Sequence, residues 1–186
     1  MTEGIRLRPV RETDLERLDD MFADPEAIGV FNWGGFSDGG VVWRRRFTEN
    51  GLLGEDKSVL MVDLGGATLG FVSWSKIQTG QISHVFEFGI SLWPEFRGNG
   101  HGTTAQRLLS RYLFANHPIN RIQARTELGN TAEQRALEKA GFTREAVLRE
   151  YYFRDGAWRD EVLYRMLRSE LPVDDEPDGE PAEDRG

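Results

Sequence analysis

Cysteine does not occur anywhere in the 186 residues. Disulfides, thiolate metal sites and cysteine nucleophiles are therefore excluded, and the absence fits a reducing compartment. Lysine stands only at positions 57, 76 and 139, so nearly every cation is an arginine. No stretch approaches the roughly 20 apolar residues needed to span a bilayer. The opening MTEGIRLRPVRETD has no apolar segment of the secretion-signal kind, so a cytoplasmic location without a membrane partner is expected. The three histidines, at 84, 101 and 117, are too scattered to form a metal site, and no metal is expected.

Enough apolar material is present for a core, with 39% hydrophobic residues including 11 Phe, 5 Trp and 4 Tyr. The length suits one domain with or without a tail. The net charge of −8 is unevenly spread. Residues 172–186 hold seven acids and one Arg, and removing them leaves 22 basic and 24 acidic residues, a balance of −2. The acidity thus belongs mostly to a Pro-, Asp- and Glu-rich tail with almost nothing to bury, which is expected to be disordered. The near-neutral remainder, residues 1–171, offers no broad surface for nucleic acid.

Upstream of the tail the pattern alternates between element types. Ile5–Val10 reads as a strand. A helix follows, with Thr13 as its cap, Glu16 at capping-box spacing, and Leu15, Leu18, Met21 and Phe22 on one face. Asp24-Pro25 ends it. Val30–Gly40 is an aromatic, glycine-rich loop, and Val42–Glu49 a second helix that includes Arg44–Arg46. Ser58–Asp63 and Thr68–Ile77 read as a hairpin about Gly65-Gly66, followed by a strand at His84–Leu92. Gly102–Ala115 is a helix, Arg121–Glu127 a strand, and Thr131–Ala140 a helix stopped by Gly141. Val147–Phe153 and Trp158–Leu167 close the order as a final hairpin. The alternation predicts an α/β fold, a mixed sheet with helices on both faces.

The chemistry-bearing stretch is Glu87–Thr104, EFGISLWPEFRGNGHGTT. A strand runs into Pro94, then a loop with Arg97, Gly98, Asn99, Gly100, His101 and Gly102, then a helix. Three glycines in five positions allow close backbone approach. Successive N–H groups and the positive helix end favour an anion, with a phosphate or pyrophosphate as the natural ligand. A tight strand-to-helix turn is the plain alternative. The loop lacks the Lys of a Walker A motif, and its G-x-G-x-G spacing is not the dinucleotide fingerprint.

Arg97–Gly102, RGNGHG, resembles the R/Q-x-x-G-x-G/A signature of GNAT acetyltransferases, and Asn130–Phe142, NTAEQRALEKAGF, resembles the later motif of the same family. The resemblance covers roughly residues 5–168 and lies toward the RimJ/RimL-like branch. It implies a mostly antiparallel mixed sheet with a central parallel strand pair that splays apart. It implies acetyl-CoA as cosubstrate, its pyrophosphate on Arg97, Gly98, Asn99, Gly100, His101, Gly102 and Thr103. Its pantetheine arm would lie against a bulged strand at Ile90, Ser91 and Leu92, with Asn130 bonding the arm. It also implies direct attack by an amine, from a small molecule or a protein N-terminus, and leaves a homodimer open as the assembly.

The family pattern fails at two places. Many relatives have Ser three residues after the Asn, where Glu133 stands here. Many have a Tyr acid seven residues after it, where Leu137 stands. Protonation of the leaving thiolate then falls to Tyr151, Tyr152, Ser91 or water. Glu87 is the candidate base, with a pKa expected to rise between Phe86 and Phe88; a salt-bridged strand residue is its plain alternative. Phe31 and Trp33, with Trp74, are the candidate acceptor contacts. A GNAT-like module that binds acyl-CoA without catalysis is the competing reading.

Overall fold

The computed structural model describes residues 4–36 and 39–171. The expected disorder of 172–186 lies outside the described residues. Side-chain alternation decides where each strand sits. β1 (Ile5–Pro9), β2 (Lys57–Leu64) and β3 (Ala67–Gln78) are followed by β4 (His84–Leu92) and β5 (Arg121–Glu127). β2 is buried on both faces from Ser58 to Asp63, as its near-continuous apolar run requires. β5 alternates, with Ile122, Ala124 and Thr126 inward. β6 (Thr143–Arg154) and β7 (Ala157–Leu167) form the closing hairpin.

The seven strands lie in the order β1-β2-β3-β4-β5-β7-β6. Every neighbouring pair is antiparallel except β4 and β5. That parallel pair is short, joining only Phe86 to Ile122 and Glu87 to Gln123. Beyond it the strands part. The mixed sheet with a central splayed pair is therefore as expected.

Helices cover both faces. α4 (His101–Asn116) and α5 (Thr131–Ala140) pack Leu109, Leu113 and Leu137 on Val72, Phe88 and Tyr164. α1 (Leu15–Ala23), α2 (Pro25–Ile28) and α3 (Gly39–Asn50) cover the other face, with Leu18 and Met21 against Val59 and Met61. Burying one such side chain is worth about 1.5–3 kcal/mol.

Three local expectations are corrected. The Thr13 cap with Glu16 does not form. A 3-10 turn, Glu12–Asp14, precedes α1, and the Asp14 carboxylate accepts the Arg11 N–H at 2.7 Å. α2 follows Asp24-Pro25, where a stop was expected, because Asp24 accepts the Glu26 N–H and Pro25 sits in the first turn. The bulge expected in β4 is absent, since its register with β3 runs without a shift from Gln78–His84 to Gly70–Leu92. The irregularity lies instead in the ladder between β2 and β3, at Val62 and Asp63 opposite Thr68–Gly70. There Gly70 lets β3 approach β4, and a methyl group on it would lie 2.1 Å from the Ser91 carbonyl oxygen.

Candidate functional site

Pro94–Phe96 forms one 3-10 turn after β4. The chain then passes Gly98 and Gly100, each with φ of +80°, and α4 starts at His101. L-residues are disfavoured in that left-handed region. A methyl on either glycine would meet nothing within 4 Å, so backbone conformation and not packing selects glycine. Among the described residues no side chain caps α4. Its first N–H groups have no side-chain partner among the described residues and lie at the positive end of a 16-residue helix, an anion-binding arrangement.

A cleft of about 560 Å³ opens from this turn. All the expected acetyl-CoA contacts line it except Asn99 and His101. Its floor is the parting of β4 from β5. Among the described residues the main-chain groups of Gly89–Leu92 that point away from β3 have no strand partner there. Arg97 faces the cleft but is tied down: its Nε donates to the Leu92 carbonyl at 2.8 Å and its Nη2 to the Ala27 carbonyl. It thus clamps the turn to β4 and to the end of α2.

Asn130 caps α5. Its Oδ1 accepts the Glu133 N–H at 3.3 Å, and its Nδ2 donates to Thr126 Oγ1 at 3.0 Å. Sequence reasoning missed Val30, Asn32, Glu133, Arg135 and Lys139 as lining residues. Arg135 and Lys139 had a usable signal, being four residues apart on one face of α5, whereas Glu133, two residues before Arg135, lies on another side of the helix. Asn32 had none, because its contact is 59 residues distant: its Nδ2 donates to Ser91 Oγ at 3.1 Å.

The expected catalytic and acceptor residues divide. Glu87 lies on the opposite side of β4 from the buried Phe86 and Phe88. Its Oε1 accepts from Arg125 at 2.7 Å, and its Oε2 from Arg125 at 2.8 Å and Gln123 at 2.9 Å. Burial pushes the Glu87 pKa up, but these bonds and the Arg125 charge hold it below the ordinary carboxylate value. The expected rise is thus overturned. Arg125 also donates to Glu161 at 2.8 Å and lies over the Tyr151 ring. β6 has an irregularity between Leu148 and Tyr152, and the Tyr152 hydroxyl lies beside Gly34, 3.6 Å from a methyl built there. Phe31 lies under Arg154, and Trp33 packs edge-on to Phe36. Trp74 is corrected as an acceptor contact. It is 4% exposed, on the face under α4, against Tyr112.

A second cavity, of about 590 Å³, lies at the far end of α4 between Phe114 and Asn120 and has no free helix N-terminus. Among the described residues no group of three or more His, Asp or Glu is placed to hold a metal ion, and no helix is long and apolar enough to cross a membrane.

The profile of the "Acetyltransferase (GNAT) domain" matches residues 5–143. YdaF of Bacillus subtilis, provisionally named a ribosomal N-acetyltransferase, is 30% identical over 129 residues, 69% of this chain and 66% of YdaF. The ribosomal protein uS5 alanine N-acetyltransferase of Escherichia coli is 30% identical over 95 residues, 51% of this chain and 48% of that enzyme. The chain spans about half to two thirds of the length of these two relatives. Their names point to the ribosomal-protein branch that the sequence resembles. A spermidine N-acetyltransferase from Vibrio cholerae, solved with CoA and spermine, superposes with a TM-score of 0.74 at 20% identity, over 90% of this chain and 97% of that one, and shows the fold alone. The signature turn, the split parallel pair and the profile match agree: this chain belongs to the GNAT acetyltransferase family.

Proposed function

We propose that this protein transfers the acetyl group of acetyl-CoA to a primary amine by direct attack. The observation that carries the reading is the cleft that joins the Gly98–Gly102 turn to unpaired main chain at Gly89–Leu92. The turn suits the pyrophosphate. The open edge of β4 suits the amide-bearing pantetheine arm, which would pair there as a strand does. An N–H aimed at the thioester oxygen stabilises the developing oxyanion, an effect typically worth about 3 kcal/mol.

The amine attacks the thioester carbon, the C–N bond forms, and the C–S bond breaks. One proton leaves the amine and one joins the thiolate. Glu87 is ionised at neutral pH and held too firmly to act as a strong base; it accepts the amine proton through water. We assign Ser91 as donor to the thiolate, because its Oγ accepts from Asn32 and so keeps its own hydrogen to give. Tyr152 borders the acceptor entrance with Phe31 and Trp33. These aromatics favour a small amine over a peptide terminus. The acetyl acceptors named for the relatives, a ribosomal-protein alanine and spermidine, supply the first two amines to try.

The test is thiol release from acetyl-CoA against a panel of small amines and N-terminal peptides. Turnover of any amine supports the reading. Tight acetyl-CoA binding without turnover of any amine refutes it in favour of a binding module.

A further inference from the structure

A carboxylate stands where an anionic ligand is to bind. Glu133 opens α5 as its third residue, where an acid ordinarily bends back to the N-cap of its own helix. Its side chain instead reaches α4, and its Oε1 accepts from Gln106 Nε2 at 2.7 Å. Gln106 is fully buried, and its own Oε1 has no partner among the described residues. Glu133 is therefore wedged between the two helices while still lining the cleft.

The surrounding charges leave it unpaired. From α4 it meets neutral Gln106; Arg107 donates to the Lys139 carbonyl, and His101 stands at the head of the helix. On α5, Arg135 and Lys139 line the same cleft, and across it Arg97 is bound to two carbonyls. Among the described residues none of these cations is paired with Glu133, whose environment is set by burial and the Gln106 bond. Burial, opposed only by the Gln106 bond, pushes its pKa up to about 7. A bound acyl-CoA adds negative phosphates and removes remaining water, and both changes disfavour a carboxylate.

We propose that this cleft takes up acyl-CoA together with one proton, which resides on Glu133. The proposal rests on the acetyl-CoA reading above. The neutral carboxyl can donate a hydrogen bond, which the carboxylate cannot. Serine at the same place would bind the ligand without a proton, so the dependence is a property of this chain's own glutamate.

Calorimetry of acetyl-CoA binding in two buffers of different ionisation enthalpy counts the protons. A group that titrates near 7 when free and stays neutral when bound takes up about 0.75 proton at pH 7.5. The same linkage weakens binding by about 25-fold between pH 6.5 and 8.5. Glu133→Gln and Glu133→Ser, checked for folding by thermal melting, should lose that uptake and flatten the profile. The ligand's own phosphate titrates near 6 and contributes equally in all three proteins. Equal uptake in wild type and a folded variant overturns the proposal. If neither variant folds, wild-type uptake near zero at pH 7.5 overturns it and uptake near the expected value supports it. No binding at any pH refutes the acetyl-CoA reading itself.

Discussion

Gly100 offers a clean way to test the anion site, because charge can be separated from backbone strain. Its φ is +80°, and a methyl there meets nothing within 4 Å. A side chain therefore costs the free protein only the left-handed conformation, about 1 kcal/mol and less for Asn or Asp, which tolerate it best. Gly100→Asn adds bulk at the mouth of the turn without charge. Gly100→Asp adds nearly the same shape with one negative charge. Two like charges about 5 Å apart at an effective dielectric of about 20 repel by about 3 kcal/mol. With 1.4 kcal/mol per decade, Gly100→Asp should bind acetyl-CoA about 100-fold more weakly than Gly100→Asn. Titration calorimetry at low salt reads the difference, and higher salt should shrink it. Thermal unfolding should place both variants within a few degrees of each other. Equal affinity for the Asn and Asp variants would show that no phosphate binds at this turn.

Other consequences can be checked directly. Glu87→Gln should lower kcat by about 10- to 100-fold through loss of proton acceptance. Because Arg125 depresses the Glu87 pKa, the wild-type rate should show no ascending limb from this group between pH 6 and 8; a limb there that vanishes in the variant would restore it as a base of raised pKa. Gly70→Ala should lower stability by about 2–4 kcal/mol in urea unfolding, since its methyl would sit 2.1 Å from Ser91 O, and an undiminished midpoint would contradict the close approach. Arg8 bonds both Asp14, at 2.7 and 2.9 Å, and Asp63, at 3.1 Å. Both acids have lowered pKa values. Their contribution is complete above the unfolded carboxylate pKa of about 3.9 and disappears as pH falls through the lower folded values. Asp63→Asn should therefore destabilise the protein at pH 7 and flatten its loss of stability below pH 4, as read by denaturant melts across pH.

Much of the fold was legible because it is local. The buried run of β2, the alternation of β5, and Gly141 with φ of +101° after α5 are each written in a few consecutive residues. The turn of the candidate site was legible for the same reason: Gly98 and Gly100 carry a backbone conformation that only their own residue type favours. Where adjacent signals compete, local reading fails. Thr13 has the chemistry of a cap, but the Arg8 pair draws Asp14 into a different first turn. Pro25 after Asp24 starts a helix as readily as it stops one.

By itself, then, the sequence determined the order of the strands, the glycine-bearing turn after β4 and the absence of thiol chemistry. Tertiary structure alone decided the ionisation of the site. Glu87 reads as a carboxylate between two phenylalanines, but Arg125, 38 residues away, sets its pKa. Glu133 stands out in the sequence only as a departure from the family's Ser, but Gln106, 27 residues away, holds it in the space between two helices. Trp74 reads as a ligand contact, but the sheet turns it under α4. Backbone conformation is governed by neighbours in sequence, whereas burial and charge pairing are governed by neighbours in space. The glycine turn of the candidate site belongs to the first kind, and the ionisation of Glu87 and Glu133 belongs to the second.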